Sequence, residues 1–115
     1  MLVVTTDHHG DVAVVRAEGE VDLHTAHLLR DALTAVIAHG SDRVIADLTD
    51  VSFLDSTGLG VLVGRLRELR IRNGHLRVAA SDRILRVIKV TGVDLVLPVH
   101  EDVAGALSAF DASPA

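Results

Sequence analysis

The pattern of hydrophobic and polar positions predicts two strands at the start of the chain, followed by a helix. Residues 3–6 and 12–18 are rich in β-branched side chains and flank a polar turn over 7–10, so we expect an opening hairpin. From Thr25 to about Gly40, apolar residues recur every three or four positions, which predicts a helix that ends at the glycine.

The remaining pattern alternates strands with helices. A β-branched run over 43–48 predicts a strand, and leucines at helical spacing from Leu59 predict a helix that stops at 73–74. The other predicted elements are a strand over 76–80, a short helix through Val90, a strand over 93–97 and a final helix over about 101–110, followed by a frayed end at 112–115.

This order of elements predicts the fold class. Strands that alternate with helices indicate a sheet with parallel neighbours and helices packed on it, and the opening hairpin adds an antiparallel pair. We therefore predict a single α/β domain over residues 1–115, with a mixed β-sheet of about five strands and about four helices in the order ββαβαβαβα.

The composition supports buried strands covered by helices and argues against several classes of function. Hydrophobic residues make up 49% of the chain, and nearly all of them are aliphatic, with two Phe and no Trp or Tyr. A stacking platform for single-stranded nucleic acid needs aromatic rings, so that function is disfavoured. There is no cysteine, which excludes disulfides, thiol catalysis and thiolate metal sites.

The charge argues against a general attraction to nucleic acid or to anionic lipid. The formal net charge is −5, so we predict no direct DNA binding and no membrane association. A local basic patch stays open as an alternative, because five arginines fall close together: Arg65, Arg67, Arg70, Arg72 and Arg77. No stretch has the length of a membrane span, and the start of the chain lacks a signal sequence, so we expect a cytoplasmic protein.

The stretch FLDSTGLG, residues 53–60, places a carboxylate and two hydroxyls between a predicted strand and a predicted helix. Ser56 or Thr57 would be a good N-cap, because a side-chain oxygen can accept from an unpaired amide of the first turn. The same helix start is favourable for a phosphate, since free N–H groups and the helix dipole both point at it. Local sequence leaves two alternatives open: a cap alone, or a site that carries chemistry.

Enzymatic alternatives do not match the motif. The spacing of Asp55 and Gly58 differs from the Asp-Thr/Ser-Gly of aspartic proteases by one residue, and the G-x-S-x-G elbow is absent. Neither a P-loop nor a G-x-G-x-x-G loop occurs. A receiver domain of two-component signalling would need further acids after its first strand and a Lys after its last, and this chain has neither. We expect no enzymatic activity and no cofactor.

The seven histidines suggest a metal site only weakly. His24 and His27 are three residues apart near a helix start, and His8 and His9 are adjacent. No third ligand falls at a recognisable spacing from either pair, so we predict no metal site.

Taken together, these residues resemble a STAS domain, and specifically the bacterial anti-anti-sigma factors, which are antagonists of anti-sigma factors. The resemblance covers nearly the whole chain. It rests on the Gly-Glu-Val-Asp turn at 19–22, the strand at 44–48 and the motif DVSFLDSTGLG at 50–60.

The resemblance implies a function and a switch. In that family, the serine directly after the aspartate is phosphorylated by an anti-sigma factor that is also a serine kinase, and by position that residue is Ser56. The unphosphorylated protein binds the anti-sigma factor and frees sigma, and a metal-dependent serine phosphatase restores it. Asp22 matches the acid that lies beside the phosphoserine loop in the family.

The resemblance also implies which residues form the switch loop and the partner surface: Asp22, Asp55, Thr57, Gly58 and Leu59. In this interpretation Ser56 or Thr57 caps the helix and Asp55 orients the loop. Many relatives carry a second serine where this chain has Thr57, so that residue is a second acceptor, a cap or neither.

Two other functions stay open at the level of sequence. The chain could be a STAS interaction module that no kinase phosphorylates, inside a signalling complex or beside a transporter. It could also be a sensor of a small molecule or nucleotide, although no recognisable nucleotide loop occurs. Neither the sequence nor the resemblance predicts an oligomeric state.

Overall fold

A computed structural model describes residues 1–112 of the protein. The strands are β1 (Leu2–His9), β2 (Val12–Val21), β3 (Arg43–Leu54), β4 (His75–Ala80) and β5 (Val99–His100). The helices are α1 (Ala26–Ala38), α2 (Ser56–Ile71), α3 (Asp82–Thr91) and α4 (Val103–Ala112), with a 3₁₀ turn at Val93–Leu95. The predicted order ββαβαβαβα and the single α/β domain are confirmed. Residues 113–115, where the sequence predicts a frayed end, lie outside the described residues.

The five strands form one mixed sheet in the order β1-β2-β3-β4-β5. β1 runs antiparallel to β2, whereas β2, β3, β4 and β5 are parallel to one another. Parallel strands end at the same side of a sheet, so the loops that follow β2, β3, β4 and β5 share one edge. We call this edge the carboxyl edge.

Helices cover the two faces of the sheet unequally. The main core lies beneath α1, α2 and α3, where Leu33, Leu62 and Ile88 are buried against Val15 and Ala46 of the sheet. A smaller core lies on the opposite face, between α4 and the sheet. It consists of Val12, Val14, Ile45, Ala106 and Phe110. None of the helices in the described residues is long and apolar enough to cross a bilayer.

The first three strands are longer than predicted. β1 continues through His9, β2 continues to Val21, and β3 continues from the predicted end at 48 to Leu54. The parallel pairing of β2 with β3 passes two irregularities in register and then resumes, so that Val21 lies opposite Leu54. Polar side chains in these extensions face solvent while every buried position is aliphatic, and the local pattern of β-branched residues therefore underestimates their length.

The predicted strand over 93–97 is wrong. This segment forms the 3₁₀ turn at Val93–Leu95, and β5 begins only after Pro98. The left-handed conformation of Gly92 ends α3, and the amides of Leu95 and Val96 then bond to carbonyls three residues back. Only Leu97 of the segment is fully buried, so its apolar residues do not form a strand in the core.

Candidate functional site

The loops that follow β2 and β3 lie side by side at the carboxyl edge. Val21 and Leu54 are register partners at the ends of the two strands, and the Asp55 amide donates to the Val21 carbonyl at 3.2 Å. Asp22 directly follows Val21, and Asp55 directly follows Leu54. The structure therefore brings the 19–22 turn and the 53–60 motif to one place, as the family resemblance implies.

Asp55 is the N-cap of α2. Its backbone is extended, and its Oδ1 accepts from the amides of Thr57 at 2.9 Å and of Gly58 at 3.1 Å. The expectation that Ser56 or Thr57 supplies the cap is wrong, because Ser56 is already the first helical residue. The positive end of the helix dipole also stabilises a carboxylate in this position.

Ser56 is exposed at the first position of α2. Within the described residues its hydroxyl makes no hydrogen bond, because Asp55 already serves the amides of the first turn. Thr57, by contrast, is only partly exposed. Of the two hydroxyls in the motif, the one on Ser56 is therefore more accessible to a second protein.

Asp22 organises the loop between β2 and α1. Its Oδ1 accepts from the amides of His24 at 2.9 Å and of Thr25 at 3.1 Å, while the Thr25 hydroxyl donates to the Glu20 carbonyl at 2.7 Å. The His24 amide, helped by the Thr25 hydroxyl and amide, holds the pKa of Asp22 below its usual value despite some desolvation. Asp22 therefore keeps a negative charge at the carboxyl edge, next to the motif.

Gly58 and Leu59 lie beneath the loop rather than on its surface. Leu59 is buried, and a Cβ added at Gly58 would lie 2.5 Å from Leu54 Cδ1 and 2.7 Å from Val21 Cγ1. The absence of a side chain at Gly58 lets the first turn of α2 approach the ends of β2 and β3 closely. These two residues position the loop, whereas Asp22, Asp55, Ser56 and Thr57 form its accessible part.

Two large apolar side chains at the carboxyl edge were not among the switch-loop and partner residues chosen from the sequence. Leu23 is 71% exposed in the loop after β2, and Phe53 is 49% exposed near the end of β3. Both interrupt otherwise polar segments at the carboxyl edge. Such exposed apolar groups next to a charged loop are typical of protein interaction surfaces. The outward placement of Phe53 depends on the register of β3, which the local pattern does not reveal.

The described residues offer no arrangement for a metal ion. Within residues 1–112, no three His, Asp or Glu side chains come close enough together to hold one. The accessible chemistry at the carboxyl edge includes the Ser56 hydroxyl, the carboxylates of Asp22 and Asp55, and the apolar side chains of Leu23 and Phe53.

Comparisons with known proteins agree with this geometry. Residues 3–106 match the STAS domain. The chain is 36% identical over 108 residues to the anti-sigma-B factor antagonist of Listeria monocytogenes, covering 93% of this chain and 90% of that protein. It is 34% identical over 94 residues to the anti-sigma-B factor antagonist of Bacillus subtilis, covering 81% of this chain and 85% of that protein. The solved structure of an anti-sigma factor antagonist from Mycobacterium paratuberculosis is similar with a TM-score of 0.88 at 33% identity, over 95% of this chain and 93% of that one. Because the match spans most of the chain, the protein belongs to the STAS domain family.

Proposed function

We propose that this protein is an anti-sigma factor antagonist that is switched off by phosphorylation of Ser56. In the unphosphorylated state it binds a cytoplasmic anti-sigma factor with serine kinase activity and so frees a sigma factor. A serine phosphatase restores the binding state. The observation that carries the proposal is the exposed hydroxyl of Ser56 at the start of α2, left free because Asp55 caps the helix.

Phosphorylation at this position would act on binding rather than on folding. A phosphate carries about −1.5 to −2 charges, and the first turn of a helix tolerates such a group because the dipole favours it. The phosphate should affect the binding of a partner more strongly, because Asp22 and Asp55 already make the carboxyl edge acidic and Leu23 is exposed beside them. Like-charge juxtaposition at a contact costs several kcal/mol, and each ~1.4 kcal/mol is a tenfold loss of affinity.

The first experiment is affinity purification of the tagged protein from its native cytosol, with the captured partner identified by mass spectrometry. The purified partner is then incubated with the antagonist and ATP, and the phosphate is located by peptide mapping. We expect phosphate on Ser56. Phosphate mainly on Thr57, Ser52 or Thr49 would contradict the assignment, and a stable complex without any phosphorylation would favour an interaction module that no kinase controls.

Asp22 provides a test of the loop between β2 and α1. Replacing Asp22 by Asn keeps the size of the side chain and an acceptor for the His24 and Thr25 amides, but removes the charge. We expect the Asp22→Asn variant to fold normally and to show altered partner binding or slower phosphorylation of Ser56. Unchanged binding and phosphorylation would leave Asp22 with a role in the turn alone.

A further inference from the structure

The outer face of α3 is less polar than is usual for a helix that packs on a sheet. α3 buries Ile84, Leu85 and Ile88 in the main core, so its opposite side faces solvent and polar residues are expected there. That side instead contains Val90, which is 82% exposed, and Val87, which is only partly buried. These two valines form an apolar patch on the surface.

Two arginines flank the valines at helical spacing. Residues three or four positions apart share one side of a helix, and one shallow depression is lined by five such residues: Arg83, Arg86, Val87, Val90 and Thr91. None of the described residues that line this depression is acidic. We call this surface the α3 stripe, and it combines positive charge with exposed apolar groups.

The guanidinium groups of the α3 stripe have no partner within residues 1–112. Most other arginine side chains of the protein bond to a carboxylate, a carbonyl, a hydroxyl or an imidazole, or lie over the Phe110 ring. Arg83 and Arg86 make no such contact in the described part of the chain, and neither does Lys89 on the same helix. Unengaged guanidinium groups are available to pair with the carboxylates of another protein.

Two acids near α3 offset this positive charge only in part. Asp82 and Glu101 share a second depression with Arg86 and Lys89, beside the α3 stripe. Among the described residues, neither carboxylate lies within ion-pair distance of a Lys or Arg side chain. Arg83 lines the depression that holds the valines, where no described acid is present. The local field therefore favours an acidic ligand, although the chain as a whole carries −5.

We propose that the α3 stripe is a docking surface for an acidic amphipathic helix of a partner protein. Apolar side chains of that helix would pack on Val87 and Val90, and its carboxylates would pair with Arg83 and Arg86. An anionic membrane fits this surface less well. α3 has only 10 residues, which is a small area for membrane binding, and the net charge of −5 opposes an anionic bilayer.

The α3 stripe is separate from the site at Ser56. α3 follows the end of β4, where Ala80 pairs with Leu48 of β3. β3 continues beyond that pair through residues 49–54, which is about 20 Å of strand, before it reaches the motif. The two surfaces are therefore distinct, and docking on the α3 stripe does not depend on phosphorylation of Ser56.

The test uses isotope-labelled protein and three synthetic helical peptides of about 15 residues. The first has Leu at every third or fourth position and Glu or Ala elsewhere, the second has Lys in place of Glu, and the third has Ser in place of Leu. With up to about 1 mM of the first peptide, we expect amide shifts within residues 83–91 and none at 55–60, and no such shifts with the other two. The absence of shifts at 83–91 with the first peptide would overturn the proposal. Equal binding of the third peptide would also overturn it, because it would indicate attraction of anions alone.

Two pairs of matched variants locate the binding on the protein. Arg83→Glu and Val90→Ser alter the α3 stripe, whereas Arg67→Glu and Ile71→Ser make the same changes on exposed positions of α2. All four side chains are exposed, so the variants should melt like the parent. We expect at least about tenfold weaker binding of the first peptide for the two stripe variants and less than about twofold for the two α2 variants. Equal weakening by Arg83→Glu and Arg67→Glu would show a response to net charge and would contradict the proposal.

A lipid surface is tested separately, by sedimentation of the protein with vesicles of phosphatidylcholine and phosphatidylserine. We expect the parent protein to stay in the supernatant, because its net charge opposes binding to the anionic bilayer. Sedimentation of the parent that is lost in Arg83→Glu would instead assign the α3 stripe to a membrane and would overturn the proposal of a protein partner.

Discussion

At the scale of the residue, the division of labour between Asp55 and Ser56 determines what the motif can do. Asp55, Ser56 and Thr57 are all residues that favour an N-cap, and local sequence cannot choose among them. The choice is made by the pairing of β3 with β2, which continues to Leu54 and so places Asp55 at the cap position. The exposed position of Ser56 follows from this tertiary pairing, and only the resemblance to a family selected the same residue from sequence.

The cap can be tested by removing its acceptor. We expect Asp55→Ala to lower the free energy of unfolding by about 1 kcal/mol, because the amides of Thr57 and Gly58 lose their partner. Asp55→Asn retains the acceptor oxygen and should cost much less. Urea unfolding of the three proteins measures the difference, and equal losses in Ala and Asn would mean that the charge matters and the hydrogen bonds do not.

Substitutions at Ser56 should separate binding from stability. Because the Ser56 hydroxyl has no described hydrogen bond, Ser56→Ala should melt like the parent and bind the anti-sigma factor even with ATP present. Ser56→Glu adds a charge that the helix start favours by about 0.3–1 kcal/mol, so it should also stay folded but bind weakly. Its defect should be partial, since Glu carries about half the charge of a phosphate. Equal affinities in calorimetric titrations would contradict the switch.

At the scale of the element, α2 is the part of the fold that joins the two ends of the molecule, and its apolar face was predictable from leucines at helical spacing. Its start was predicted to within two residues, with the N-cap at Asp55 rather than at Ser56 or Thr57. The error in the last strand was larger. A run of apolar residues over 93–97 satisfies its backbone in a 3₁₀ turn, and only the short β5 reaches the sheet.

Two glycines in α2 provide a matched pair for testing how closely this helix approaches the sheet. A Cβ at Gly58 would lie within 2.7 Å of both Leu54 and Val21, whereas a Cβ at Gly60 would contact nothing within 4 Å. We expect Gly58→Ala to destabilise the protein by about 1–3 kcal/mol through overpacking. Gly60→Ala should stabilise it by about 0.5–1 kcal/mol, because alanine loses less conformational freedom in a helix. Denaturant unfolding measures both, and the same sign for the two variants would contradict the close packing at Gly58.

At the scale of the whole molecule, residues from distant parts of the chain fix α4 to the sheet. Two guanidinium groups lie over the Phe110 ring, with Arg77 Cζ at 5.0 Å and Arg43 Cζ at 5.9 Å from its centroid. Arg77 Nη1 also lies 3.2 Å from His100 Nε2. The sequence predicted the final helix but not this attachment, because the four residues are far apart along the chain and none belongs to a recognisable motif.

The contact between Arg77 and His100 should make stability depend on pH. A guanidinium can only donate, so His100 Nε2 must accept, which requires the neutral imidazole. Burial and the nearby Arg77 charge lower the pKa of His100 below its usual 6.5, and Asp102 opposes this only in part. The unfolded chain therefore binds a proton at a higher pH than the folded protein does.

The contribution of His100 to stability is fully present above pH 6.5 and is lost as the pH falls from there towards the lowered pKa of the folded state, by at most about 1.4 kcal/mol per pH unit. His100→Gln cannot titrate, and its side-chain oxygen can still accept from Arg77. We expect the free energy of unfolding of the parent to fall more than that of His100→Gln between about pH 7.5 and 5.5 in urea titrations. The other histidines and the carboxylates are common to both proteins, so they affect both curves alike. Parallel curves would show that His100 keeps an ordinary proton affinity and that its contact with Arg77 does not hold α4 in a pH-dependent way.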